Sequence, residues 1–189
     1  MCIESVVQLA IVSDTHIPAR EEEIPESFRD RIAEADHVVH AGDFETPDVL
    51  ANVRSLATEL TAVQGNVDPK EVGLPVVAET TLGGVTFVVT HGTLNPVERA
   101  VHLTDGMVMS REDWLNAIAD TARTRTRAWA NDRPVVGIGG HSHDVEDEVH
   151  EGIRLLNPGS ATGANPAEQA TMMTAEVADA EVDVTVHER

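Results

Sequence analysis

The chain has 189 residues but a single cysteine, Cys2, a single lysine, Lys70, and no tyrosine. One thiol excludes an internal disulfide and fits a reducing compartment. Aromatic residues make up only 3%, so the core must be aliphatic, drawn from Val, Leu, Ile and Ala. No apolar run approaches the ~20 residues that a membrane span needs. The first run, Val6 to Val12, is of strand length, is broken by Gln8 and follows no basic segment, so it does not read as a secretion signal. A cytoplasmic protein without a membrane partner is expected.

Positive charge is scarce as well. Acids number 33 against 13 bases, for a formal net charge of −20. A field of that sign repels nucleic acid and anionic lipid, which disfavours both as partners. Acid-rich, lysine-poor surfaces with abundant Ala, Val and Thr are similar to those of proteins from salt-loving organisms. There, concentrated salt screens the repulsion between surface acids.

What remains is an ordinary globular composition, 41% hydrophobic, in a length suited to one domain spanning residues 1–189. No repeat, linker or internal boundary is visible. The continuous apolar run Val6–Ser13 predicts a strand covered on both faces. A helix is expected over Glu26–Ala35, with Phe28, Ile32 and Ala35 on one face, and a strand over Val38–Ala41. Thr46-Pro47-Asp48 combines a cap, a proline at the first helical position and an acid in the first turn. It opens a helix through Val49, Val53 and Leu56, before a third strand at Glu59–Gln64. This βαβαβ opening implies parallel strands with right-handed crossovers.

The second half changes character. Val76–Thr81 and Val85–Thr90, joined by Gly83-Gly84, predict a hairpin. A long helix starts at the capping box Ser110-Arg111-Glu112-Asp113 and carries Leu115, Ile118, Ala119 and Ala122 at helical spacing. Short strands follow near Val135–Gly139, Asp147–His150, Ile153–Leu156, Thr171–Val177 and Val182–His187. The chain is therefore mixed α/β, parallel first and mostly antiparallel later, with 93–109 read as loop.

Five short motifs fall where the first, second, third, fifth and sixth strands end: Asp14-Thr15-His16, Gly42-Asp43, Gly65-Asn66, His91-Gly92 and Gly140-His141-Ser142-His143. Open α/β folds place ligands at such strand ends. In extended chain, residues i and i+2 project the same way, so Asp14/His16 and His141/His143 are each expected to aim two ligands at one spot. His, Asp and Asn without thiolate suit a pair of divalent ions such as Mn²⁺, Fe²⁺, Ni²⁺ or Zn²⁺. Glycine beside these ligands fits tight turns passing close to bulky groups.

Taken in order, these motifs resemble those of the calcineurin-like metallophosphoesterase superfamily, from about residue 6 to the end. The compact length, Asn157-Pro158-Gly159-Ser160 and Asn165-Pro166-Ala167 resemble its small bacterial and archaeal phosphodiesterase branch. That resemblance implies an α/β/β/α sandwich of two packed mixed β-sheets flanked by helices. It also implies metal-dependent hydrolysis of a phosphate diester by attack of a metal-bridging hydroxide. Asp14, His16 and His143 would hold one metal, Asn66, His91 and His141 the other, and Asp43 would bridge both. Asp14, Asp43, Asn66 and His91 are the expected catalytic set. Two divalent ions (roughly +4), two Asp ligands and one hydroxide leave the site near +1, a local attraction for a phosphate anion in a negative protein.

The pattern departs from relatives in two places. Val67 stands where many carry a His after the motif Asn, which argues against a protein Ser/Thr phosphatase. Thr93 stands where close relatives often have a second His, so no general acid is identified; the candidates are Asp68, His102 or a metal-bound water. Asp68-Pro69-Lys70-Glu71 also reads as an N-terminal cap. His40 reads as a half-buried packing residue or a support for the ligands, and Trp114 and Trp129 as packing anchors. Arg123, Arg125 and Arg127 read as a solvated helix face paired with acids such as Asp120. A phosphomonoesterase acting on a nucleotide or sugar phosphate is the first alternative, with Arg99 or the Arg123–Arg127 run holding the dianion. A non-catalytic scaffold, like the retromer subunit of this fold, is the second, and the full ligand set argues against it. Relatives often form dimers or larger assemblies, so a homo-oligomer is compatible with the resemblance, though no interface is legible.

Overall fold

The computed structural model describes residues 6–92, 110–126 and 133–189. The strand β1 (Val7–Val12) leads to α1 (Glu26–Glu34), β2 (His37–His40), α2 (Pro47–Leu56) and β3 (Leu60–Ala62). A 3-10 turn at Lys70–Val72 precedes the hairpin β4 (Val77–Leu82) and β5 (Val85–Thr90). Then come α3 (Arg111–Thr126), β6 (Val135–Ile138), β7 (Val145–His150), β8 (Ile153–Pro158), β9 (Thr171–Ala178) and β10 (Glu181–Glu188).

Two five-stranded sheets result, in the orders β10-β9-β1-β2-β3 and β4-β5-β6-β8-β7. The opening pairs β1–β2 and β2–β3 are parallel, as the βαβαβ pattern requires. Antiparallel pairing holds for β4–β5, β7–β8, β9–β10 and β1–β9. The centre of the second sheet departs from the expected antiparallel character, because β5–β6 and β6–β8 are parallel. Helix α3 lies between β5 and β6 in the chain, and such an intervening helix is what a parallel connection calls for.

The period of two along β1 explains the layers. Leu9 and Ile11 face inward between the sheets with Val39, Phe87, Ile138, Leu156 and Met173. Ala10 and Val12 face outward, where Phe28 and Ile32 of α1 and Leu50 and Val53 of α2 cover them. On the far side, Trp114, Leu115, Ile118 and Ala119 of α3 pack on Leu155 of the second sheet. The order of layers is α/β/β/α. Each fully buried aliphatic contributes about 1.5–3 kcal/mol of burial, so three apolar layers form without any tyrosine.

The helix caps read from the sequence for α2 and α3 both form. Thr46 accepts the Val49 amide at the start of α2. Ser110 accepts the Asp113 amide at 3.1 Å and donates to the Asp113 carboxylate at 2.7 Å before α3. Helix α1 instead begins after Pro25 with no side-chain cap. Among the described residues no helix is long and apolar enough to cross a membrane.

Candidate metal centre

The five motif loops leave the ends of β1, β2, β3, β5 and β6, and they brace one another across both sheets. Within the first sheet the Asp14 amide donates to the Gly42 carbonyl at 3.0 Å, and the His16 amide to the Asp43 carbonyl at 3.1 Å. Between sheets, His91 Nδ1 donates to the Ala41 carbonyl at 2.7 Å. The His141 amide donates to Asp14 Oδ2 at 2.9 Å. The loop ends are thus one hydrogen-bonded unit.

The turn geometry differs from the extended chain that the i, i+2 spacing suggested. Asp14, His16, Asp43, His141 and His143 all have positive φ, between 49° and 73°. Left-handed backbone at a non-glycine residue costs energy and marks sites where the surroundings dictate the conformation. Asp14 and His16 do meet at one spot. His141 and His143 separate, one going to each of two clusters.

In the first cluster, Asp14, His16 and His143 each offer a ligand atom within 4.8 Å of the others. His16 Nε2 lies 3.1 Å from His143 Nε2, and Asp14 Oδ1 lies 3.3 Å from His143 Nε2 and 3.7 Å from His16 Nε2. Asp43, His91 and His141 form the second cluster under the same limit. Asn66 joins it, its Oδ1 standing 2.9 Å from both His91 Nε2 and His141 Nδ1. Asp43 links the two: its Oδ2 is 3.2 Å from His91 Nε2 and 3.5 Å from His16 Nε2.

The histidines are oriented from behind. His143 Nδ1 donates to the Ala164 carbonyl at 2.7 Å, and His16 Nδ1 pairs with Glu45 Oε1 at 2.8 Å. With His91 tied to Ala41, three rings present Nε2 to the cluster and His141 presents Nδ1. Fixing the outer nitrogen sets which inner nitrogen carries the lone pair. Seven oxygen and nitrogen donors facing inward, none of them sulfur, fit hard or borderline divalent cations. Two imidazole nitrogens 3.1 Å apart beside a buried carboxylate form a donor set that a cation satisfies better than a single shared proton.

Electrostatics agree with that reading. Burial alone would push Asp14 upward, but hydrogen bonds from His143 and His16 and the charge of His91 hold it well below the usual carboxylate range. Burial opposes a charged His91, yet the adjacent Asp43 carboxylate outweighs it and lifts the ring to about 9. His16 rises too, where the hydrogen bonds to Asp14 and Glu45 overcome burial. Burial and the charge of His91 drive His141 down to about 4. Carboxylates and imidazoles packed this closely displace one another's titrations in opposite directions, which makes the cluster a candidate site.

Outlying candidates resolve differently. His40 is fully buried rather than half-buried, is pushed down to about 3 by burial and stacks on Phe44 at 3.7 Å. Its ring accepts the Gly42 amide and meets Thr15 Oγ1 at 2.7 Å, so it ties two ligand loops together. Asp68 is not a cap: the 3-10 turn begins after Pro69 with no side-chain cap. Its two oxygens accept the amides of Asp43, Phe44, Glu45 and Gly65 instead. Arg123 pairs with Asp120 at 3.2 Å and with Glu151 at 2.5 Å, as a solvated face would. Arg125 donates to the Val77 carbonyl. Trp114 is buried, and its indole N–H donates to the Gly140 carbonyl at 2.8 Å. His102, Thr93, Arg99, Arg127 and Trp129 lie outside the described residues.

Sequence reasoning missed Glu45, Thr162 and Ala164, and it met Asn157-Pro158-Gly159-Ser160 only as a likeness to relatives. Ser160 Oγ donates to the Asp14 carbonyl at 2.8 Å, and Thr162 Oγ1 to the Thr15 carbonyl at 2.9 Å. Asn157 joins Trp114 on the Gly140 carbonyl. All reach the site by long-range contacts that no local pattern signals.

Gly65 shows how tightly the loops are fitted. A Cβ there would meet Asp43 Oδ1 at 2.0 Å and the Asp43 amide at 2.4 Å. Gly65→Ala must therefore expel the Asp43 carboxylate from its place. We expect it to weaken metal binding ~10–100-fold, as displaced support around a ligand does. Titration with Mn²⁺ followed by calorimetry checks this, and wild-type affinity would contradict it.

Residues 7–180 match the calcineurin-like phosphoesterase superfamily domain. A probable metallophosphoesterase of Methanothermobacter thermautotrophicus is 30% identical over 177 residues, covering 92% of this chain and 90% of the relative. The fold is similar to that of Vps29 from Entamoeba histolytica, with a TM-score of 0.67, 24% identity and coverage of 96% and 99%. It is also similar to a predicted phosphoesterase from Streptococcus pneumoniae, with a TM-score of 0.60, 23% identity and coverage of 98% and 99%. The chain belongs to the calcineurin-like phosphoesterase superfamily, a family of metal-binding hydrolases.

Proposed function

We propose that this chain is a two-metal phosphodiesterase, with Asp14, His16 and His143 holding one divalent ion, Asn66, His91 and His141 the other, and Asp43 bridging them. The carrying observation is the position of Asp43 Oδ2, within 3.5 Å of an imidazole nitrogen from each cluster. Ions held there would lower the pKa of a nucleophilic water and neutralise charge developing on the phosphoryl oxygens. The mixed oxygen and nitrogen donors admit Mn²⁺, Fe²⁺, Ni²⁺ or Zn²⁺, and Mn²⁺ is the ion we propose to test first. The chain's own residues do the rest: Glu45 and the Ala41 and Ala164 carbonyls orient three rings, and Asp14, 0% exposed, keeps its charge through its histidine contacts. A small phosphate ester is the partner this predicts, in a cytoplasmic setting.

The diester reading is supported by the engagement of the described arginines of the basic run. A dianionic monoester needs more positive charge than a monoanionic diester, and Arg123 and Arg125 are engaged elsewhere. The likeness of the fold to Vps29 favours a non-catalytic scaffold as the second reading. Hydrolysis of bis-p-nitrophenyl phosphate against p-nitrophenyl phosphate in concentrated KCl decides among these. Mn²⁺-dependent cleavage, faster for the diester and lost on chelation, is expected. A monoester preference overturns the diester assignment, and no cleavage with Mn²⁺, Ni²⁺, Fe²⁺ or Zn²⁺ favours the scaffold.

A further inference from the structure

We infer that Asp68 is a positioning residue, which sets the bridging carboxylate of Asp43 in place before any metal arrives; this rests on the two-metal reading above. Asp68 is 5% exposed and sits behind the cluster. Its Oδ1 accepts the amides of Phe44 at 2.7 Å and Glu45 at 2.8 Å, and its Oδ2 those of Gly65 at 2.8 Å and Asp43 at 3.0 Å. Three consecutive backbone amides and one from the neighbouring loop therefore converge on a single side chain, a concave array of N–H dipoles that suits an anion.

The backbone it gathers is strained. Asp43 has φ 61° and Glu45 φ 76°, and such conformations persist only where the surroundings over-determine them. In return the Val67 amide donates to Asp43 Oδ1 at 3.0 Å, which leaves Oδ2 for the two clusters. Glu45, held by the same latch, orients His16. One carboxylate thus places the Asp43 loop, the Gly65-Asn66 loop and the ring of His16. The four donors occupy both oxygens, so Asp68 has an acceptor's role and not that of a general acid.

Asp68→Asn keeps the shape but turns one acceptor into a donor facing two amides. Calorimetric titration of the metal-free protein with Mn²⁺ tests the inference. Wild type should take up two equivalents. In Asp68→Asn one equivalent should weaken ~10–100-fold, the usual effect of losing support behind a ligand, and the other by less. A merely structural role would lower the melting temperature and leave both affinities of the folded variant unchanged, which would overturn the inference alone. Fewer than two equivalents in wild type would overturn the two-metal reading and the inference with it. Should Asp68→Asn not fold, amide hydrogen exchange in metal-free wild type decides. Protected Asp43, Phe44, Glu45 and Gly65 amides support a preformed latch, and rapid exchange at these four overturns it.

Discussion

Asp43→Asn is expected to lower metal-dependent diester hydrolysis by about three orders of magnitude in kcat/KM, or ~4 kcal/mol of transition-state stabilisation. The substitution is nearly isosteric, and its retained oxygen can still accept the Val67 amide that Asp43 Oδ1 holds at 3.0 Å. What it removes is the charge of the one oxygen that stands within 3.5 Å of both clusters. That charge also lifts His91, so the loss falls on the second cluster as well as on the bridge. Steady-state kinetics on bis-p-nitrophenyl phosphate, with the fold checked by circular dichroism, measures the effect. Activity within tenfold of wild type would mean that Asp43 does not bridge.

The second large effect is on stability. Raising KCl from roughly 0.1 M to multi-molar, where the screening length falls from ~10 Å to below ~3 Å, is expected to raise the melting temperature of the metal-free protein by on the order of 10 °C. At ~2–4 °C per kcal/mol for a chain of this size, that is ~3–5 kcal/mol. The cause is a net charge of −20 carried on exposed acids. The β9–β10 ladder even sets Asp183 directly opposite Glu176, and like charges so placed are destabilising. Sucrose stabilises by exclusion from the surface without screening, so it serves as the control. A melting temperature that is flat in KCl, or one that sucrose raises equally, would remove the electrostatic account.

The legible parts of the fold were those governed by local pattern. Apolar runs at β1, β2 and β5 and the Gly83-Gly84 turn marked strands to within a residue or two. Thr46-Pro47 marked a helix start because capping is a local event. The candidate ligands were legible because each follows the end of a strand within a few residues. Their grouping was legible through the family resemblance, which sends His143 and His141 to different clusters as the structure does, but not through strand alternation. The alternation rule expected His141 and His143 to converge, but it assumes extended backbone, and both adopt left-handed φ of 73° and 62°.

Asp68 is the clearest case of a local pattern overridden by tertiary contacts. Asp-Pro-Lys-Glu has the grammar of a helix start, yet the amides that recruit the carboxylate include those of Asp43, Phe44 and Glu45, more than twenty residues earlier in the chain. Glu45 escaped notice for the same reason, since its partner His16 lies in another loop. The parallel centre of the second sheet depends on crossovers through α3 (β5 to β6) and through β7 (β6 to β8), and short strands of similar composition carry no direction of their own.

The central claim is that Asp14, His16, Asp43, Asn66, His91, His141 and His143 enclose two ions sharing Asp43. Anomalous diffraction from crystals grown with Mn²⁺ tests it most directly. The account predicts two peaks, one among Asp14, His16 and His143 and one among Asn66, His91 and His141, with the Asp43 carboxylate touching both. A single peak, a pair outside these side chains, or an Asp43 that contacts neither ion would contradict it.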